Sequence, residues 1–242
     1  MYVTIREDNS TKATGQGWSE LKIGGNNIGF LKMPLLSSLR GTMKKKDANC
    51  TYWRLKFFSG SAFEVVLFVT LSEDQIEKSG AKAQAIWQGF ANNQPSQETV
   101  LIASQWLRGS NTLGLDAYTE RNNRFVAIDG SGFSMLSESL HKGMFERAVL
   151  LLALACAYQV RMESLTNELA CWDGKHGNIT SLAVKASEFN AKYYFKHPVA
   201  LKNIELPYFW DGLAERMRLH EQDTELNDQI RALHQRSPLK TS

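Results

Sequence analysis

Hydrophobic and polar residues alternate along "YVTIR" (Tyr2 to Arg6), the period of a half-buried strand. "ELKIGGNNIGFLKM" sets Gly-Gly-Asn-Asn between two short apolar segments, which is the chemistry of a hairpin turn. "TYWRLKFF" and "AFEVVLFVTL" are rich in aromatic and β-branched residues and are split by "SGS", so they predict a second hairpin. The near-continuous apolar run Val65 to Val69 predicts a central strand covered on both faces. Ser72, followed by Glu73, Asp74 and Gln75, has the form of a helix start. Ile76, Ala83, Ile86, Trp87 and Phe90 then recur at helical spacing until "NNQPS" ends the element. "TVLIASQWL" and "RFVAID" return to strand character. The fold class expected for residues 1–140 is therefore an α+β or α/β domain with a mixed sheet.

After "DGSGFS" the period changes from two to helical. Met144 to Ala170 predicts one long helix, Ser181 to Phe195 a second and Leu206 to His234 a third, with Pro207 suited to a first turn. Residues 141–242 thus read as a helical region ending in a long helix and the short flexible tail "RSPLKTS". The longest apolar run, Ala148 to Val160, spans only about 20 Å as helix against a bilayer core of about 30 Å, so it predicts a buried core helix. On the third helix Phe209, Leu213, Met217, Leu226, Ile230 and Leu233 form an apolar stripe that needs a partner helix. These six residues are the candidate partner-binding surface. Leu219, Leu226 and Leu233 are spaced by heptads, with the charged Asp223 on the intervening seam position.

Composition adds little: 43% hydrophobic and 22% charged residues describe an ordinary globular chain. The charge distribution adds more, because a net charge of +3 hides a basic N-terminal segment and an acidic stretch over 61–140. Within Arg40 to Lys56, the run Lys44, Lys45 and Lys46 lies near Tyr52 and Trp53, a pattern of cations and rings that meets nucleic acid. The stretch "FNAKYYFKHPVALKNIELPYFW" (residues 189–210) is the second such candidate. There, however, Phe189 and Tyr193 share one helical face and His197-Pro198 forces the chain out of the helix, so an apolar joint between helices is the favoured reading. Cys50, Cys156 and Cys171 have no CxxC spacing, so a reducing cytoplasm is expected and a disulfide framework is not.

No catalytic, cofactor or metal constellation emerges from the motifs. "GGNNIG" lacks the spacing of a dinucleotide fingerprint, and "GSGFS" is not a nucleophile elbow. "HEQD" at His220 lacks the second histidine of a zinc site, and His220 and His234 lie four helical turns apart. "WDGKHGN" gathers Asp173, Lys175 and His176 in a polar loop with acid–base potential, although an interhelical turn needs the same residues.

The order "LLLALACAYQVRMESLTNELA", then "EFNAKYYFKHPVALKNIELPYFWDGLAERMRLHEQDTELNDQIRALHQ", resembles the cytosolic part of CorA-like membrane proteins, relatives of the CorA magnesium channels. In those, a "YYF" joint and "ELxxFWxxL" precede the helix that enters the membrane. The superfamily's Gly-Met-Asn signature is missing: Gly143-Met144 is followed by Phe145, and no hydrophobic 20-mer follows Gln235. Transport by this chain alone is therefore not expected, and no ion-binding residue carries over. What the resemblance implies is architecture, assembly through long helices, and a membrane protein as one conceivable partner. The expected function is a non-catalytic cytoplasmic assembly protein that self-associates or docks on another protein, with a place in a bacterial defence or stress system. The alternative is a nucleic-acid- or nucleotide-binding protein using residues 40–56 and 189–210.

Overall fold

A computed structural model of the chain describes residues 2–7, 19–46, 50–58, 64–72, 118–121, 124–129, 132–137, 142–172, 179–200, 202 and 205–236. Strands and helices occur together, giving a mixed α and β architecture. Strands β1 (Tyr2–Glu7), β2 (Ser19–Glu20), β3 (Arg40–Lys46), β4 (Cys50–Phe57) and β5 (Val65–Ser72) form one sheet in the order β1-β5-β4-β3-β2. Strands β6 (Tyr118–Arg121), β7 (Arg124–Asp129) and β8 (Gly132–Ser137) form a second, in sequence order. All pairings among the described residues are antiparallel, where a mixed sheet was expected. The helices are α1 (Met33–Ser38), α2 (Lys142–Ala170), α3 (Ile179–Lys192), α4 (Leu206–Arg216) and α5 (Leu219–Arg236).

The β4–β5 hairpin forms where its composition placed it, and β5 is an inner strand between β1 and β4. Trp53, Leu55 and Phe57 on β4 lie opposite Val69, Leu67 and Val65 on β5, and all six are buried. Burying each such side chain stabilises by about 1.5–3 kcal/mol. Only one face of β5 is fully covered, because Val66 stays half-exposed; the run Val65 to Val69 had suggested cover on both. Ser72 is the last residue of β5, and the helix and strand expected over 73–107 lie outside the described residues.

Helix α2 packs against β5 and β1 on one side and against α3, α4 and α5 on the other. A helix enclosed all round is apolar all round, and Ala148 to Ala155 are all without solvent exposure. By length and composition this helix is also able to cross a bilayer, and 72% of its apolar window is buried inside the protein. Residues from both sides of position 140 contribute to the same buried cluster, with Leu67 and Phe133 joining Leu151 and Leu213.

The glycine turn docks on the start of α2. Gly24 and Gly25 have φ of 57° and 82°, the left-handed pair that closes a two-residue turn between Ile23 and Asn26. A Cβ on Gly24 would lie 3.4 Å from the Gly143 Cα, so both glycines permit the close approach. The Gly24 N–H then donates to Glu146 Oε2 at 2.8 Å, giving that buried carboxylate a partner.

The third helical pattern is not one helix. It breaks at Met217 and Arg218, and Arg218 takes φ of 52°, a conformation that costs a non-glycine residue about 1–2 kcal/mol. The Met217 carbonyl freed by the break accepts from Gln222 Nε2 at 2.8 Å and Gln159 Nε2 at 3.3 Å. The break folds α5 back onto α2 and α3 instead of letting it project.

Candidate functional site

The aromatic joint is built inward. Tyr158, fully buried on α2, donates its hydroxyl hydrogen to the Tyr193 carbonyl at 2.7 Å and accepts from the Phe195 N–H at 3.3 Å. Burial raises its pKa well above the usual phenol range, with the neighbouring Tyr194 adding to the rise and the Phe195 N–H opposing it. Phe58 stacks on Tyr158 with centroids 5.8 Å apart, and Phe189, Tyr194 and Trp210 meet the same ring edge-on. Phe58 reaches this position with φ of 64°, strain that its contacts with Tyr158, Phe189 and Tyr193 offset. Trp210 Nε1–H donates to the Lys196 carbonyl at 2.8 Å. The joint is tied to the N-terminal half as well: the Lys32 N–H donates to the Pro198 carbonyl and the Ala200 N–H to the Phe30 carbonyl, each at 2.8 Å. Phe189 and Trp210 are committed to this joint, whereas Tyr208, in the same stretch, leaves its side chain exposed at 58%.

A polar cluster borders the joint. Tyr194 Oη lies 2.7 Å from His220 Nδ1 and 3.1 Å from the Leu219 carbonyl. Its single hydrogen, given to Leu219, leaves the oxygen to accept from a protonated Nδ1. Asp223 Oδ1 accepts from Asn227 Nδ2 at 2.9 Å, and Asn190 Nδ2 donates to Asn227 Oδ1 at 3.2 Å. Desolvation, then the charge of Lys196, lowers the His220 pKa, while desolvation raises that of Asp223. These groups fasten α3 and the joint to α5. The described residues hold no group of three or more potential metal ligands.

The candidate partner stripe is covered by this chain. Phe209, Leu213, Met217, Leu226 and Ile230 are buried and Leu233 is packed against the core. The cover that the stripe demanded comes from α2 and α3, and for α4 also from β7. As a docking surface for another molecule the six residues are therefore a corrected expectation.

The basic segment is split by the strand period. Lys44, Lys45 and Lys46 end β3, opposite Trp53, Tyr52 and Thr51 respectively. Directly opposed residues share a sheet face, so Lys44 and Lys46 belong to the face of Trp53, and Lys45 to that of Tyr52. Trp53 is fully buried and drops out as a contact. Tyr52, Arg54 and Lys56 alternate along β4 on the other face, each half-buried. Register adds Arg6 of β1 to the row of Arg54 through Phe68, and Arg40 of β3 to that of Lys56. Glu20, on β2 opposite Met43, ends the row of Arg54 with the opposite charge. Lys56 Nζ pairs with Glu64 at 2.8 Å, both side chains about two-fifths exposed at 40% and 42%. Arg40, Arg54 and Lys56 fall within the basic segment 40–56 that the sequence singles out, whereas Arg6 joins them only through strand register.

Asp173, Lys175 and His176 lie outside the described residues. Burial pushes the Cys156 thiol up to about 12, so it stays protonated and unreactive. A groove of about 400 Å³ runs between α2 and α5, with Met162 and Leu226 at its floor and Glu163, Thr166, Gln222 and Glu225 along its sides. No protein-family model matches the chain, and no curated protein or solved structure matches it.

Proposed function

We propose that this chain is a non-catalytic nucleic-acid-binding protein, with a strand-rich part up to residue 140 carrying the binding face and the helical region from 141 supporting it. The observation behind this reading is the gathering of Tyr52, Arg54 and Lys56 on one face of β4, with Lys45, Arg40 and Arg6 at register positions of that same face. Cations drawn from three strands onto one surface meet a polyanion by releasing its counterions. The Lys56–Glu64 pair is no obstacle, since an exposed ion pair contributes at most about 1 kcal/mol. Fluorescence anisotropy with a labelled oligonucleotide tests the reading: binding at about 50 mM salt that weakens steeply as salt rises supports it. Absence of binding at that salt removes it.

A second reading, self-association or docking on another protein in the cytoplasm, draws support from the groove between α2 and α5, whose carboxylates Glu163 and Glu225 are exposed. A basic segment is the partner that such a groove fits. The proposed kinship with CorA-like proteins, and with it a membrane protein as partner or a role in bacterial defence or stress, belongs to this reading. Light scattering tests it: a strict monomer that captures no partner through Glu163 and Glu225 sinks it.

A further inference from the structure

Resting on the nucleic-acid reading, we propose that the ligand of the Tyr52 face is a single strand, with one base stacked on Tyr52 and neighbouring phosphates held by Arg54 and Lys56. Three observations converge on this. Tyr52 occupies a position between cationic ones, with Arg54 two residues along β4 and Lys45 directly opposite on β3. An aromatic ring set among cations contributes to duplex binding only through its hydroxyl, because duplex bases are already stacked on one another. To an unpaired base it offers a stacking partner that tolerates any sequence.

Spacing is the second observation. Tyr52, Arg54 and Lys56 alternate along one strand, so successive positions on the face lie about 6.7 Å apart. A nucleotide strand laid along β4 therefore places a base and its flanking phosphates over consecutive positions of the face.

The third observation is shape. The face belongs to inner strands, with β5 on one side of β4 and β3 on the other, so it presents a sheet surface and not an edge. Duplex readers insert a helix or a two-stranded ribbon into the major groove, whereas a flat sheet accepts an opened strand laid across it. In the Tyr52 row, the positions across β5 and β1 are the short residues Thr70 and Thr4, so Tyr52 is the only aromatic residue of that row among the described residues.

The test uses the full chain with a labelled single strand of about 12 nucleotides, within the usual site size of such surfaces, and a hairpin duplex of matching composition. At about 100 mM salt the single strand is expected to bind at least about tenfold tighter than the duplex. Tyr52→Ala should weaken single-strand binding by roughly 5- to 150-fold, the range for losing one stacked base, and leave duplex binding unchanged. Tyr52→Phe, which keeps the ring, should stay within about threefold of the parent. Duplex binding as tight as single-strand binding overturns the proposal. So does a Tyr52→Ala protein, folded by circular dichroism, that binds the strand as the parent does. Competition by inorganic polyphosphate as effective as by the unlabelled strand also overturns it, because charge alone then explains the binding. If neither nucleic acid binds at about 50 mM salt, the nucleic-acid reading itself fails and takes this inference with it.

Discussion

Tyr158→Phe isolates the bond that holds the aromatic joint to the long helix. The substitution keeps the ring and therefore its contacts with Phe58, Phe189, Tyr194 and Trp210, so it creates no cavity. It removes one hydroxyl, and with it the partner of the Tyr193 carbonyl at 2.7 Å and of the Phe195 N–H at 3.3 Å. A buried polar group left without a partner costs about 1–3 kcal/mol. The longer bond to half-buried Phe195 sits at the low end, which gives a combined loss of about 3 kcal/mol. For a chain of this size that corresponds to a fall of about 6–12 °C in Tm. Urea unfolding followed by circular dichroism reads the loss, with an unchanged m value showing that the mutant still folds to the same compactness. A stability within about 0.5 kcal/mol of the parent would refute the account of the joint as a hydrogen-bonded anchor.

Other perturbations bear on the helical layer. Arg218→Gly relieves the left-handed backbone at the α4–α5 break and should raise stability by about 1 kcal/mol in the same urea assay; a loss would mean the Arg218 side chain itself holds the break. Gly212 packs α4 on β7 so closely that even a Cβ would meet Ile128 Cδ1 at 3.0 Å, so Gly212→Val should cost about 1–3 kcal/mol by overpacking. The pH dependence follows from His220, whose pKa is lowered in the folded protein, so the unfolded chain binds the proton more readily. Stability is therefore full above the unfolded value near 6.5 and declines as pH falls from there toward the folded pKa. Asp223 and Glu221 oppose the shift and Lys196 and His197 add to it, so His220→Asn should flatten this part of the pH profile, measured by urea midpoints between about pH 7 and pH 5.

Local periodicity carried much of the fold. The alternation in Tyr2 to Arg6 became β1, the "SGS" split separated β4 from β5, and the helical pattern from Met144 became α2. The α4–α5 break escaped it because Met217 and Leu219 keep the apolar rhythm on both sides of Arg218, so hydrophobicity alone shows no interruption. The stripe from Phe209 to Leu233 was read correctly as needing cover, but periodicity within a segment says nothing of which distant segment provides it. Here the cover comes from α2 and α3 and, for α4, from β7, all earlier in the chain. The cationic face was hidden for a different reason. Read as a linear cluster, Lys44 to Trp53 mixes two opposite surfaces; only strand pairing separates Tyr52 from Trp53 and brings Arg6 toward Arg54.

The central claim is that the face of Tyr52, Arg54 and Lys56, and not the helical layer, meets the polyanion. The measurement that tests it is oligonucleotide affinity across a salt series for two double charge reversals. Lys56→Glu with Arg54→Glu alters the sheet face, and Lys185→Glu with Lys192→Glu alters α3, where both lysines already pair with carboxylates. The two proteins carry the same change in net charge. The account predicts that the first loses binding and its log–log salt slope falls by about 0.7 for each phosphate contact removed, while the second binds with an undiminished slope. Equal losses in both, or a loss confined to the α3 protein, would contradict it.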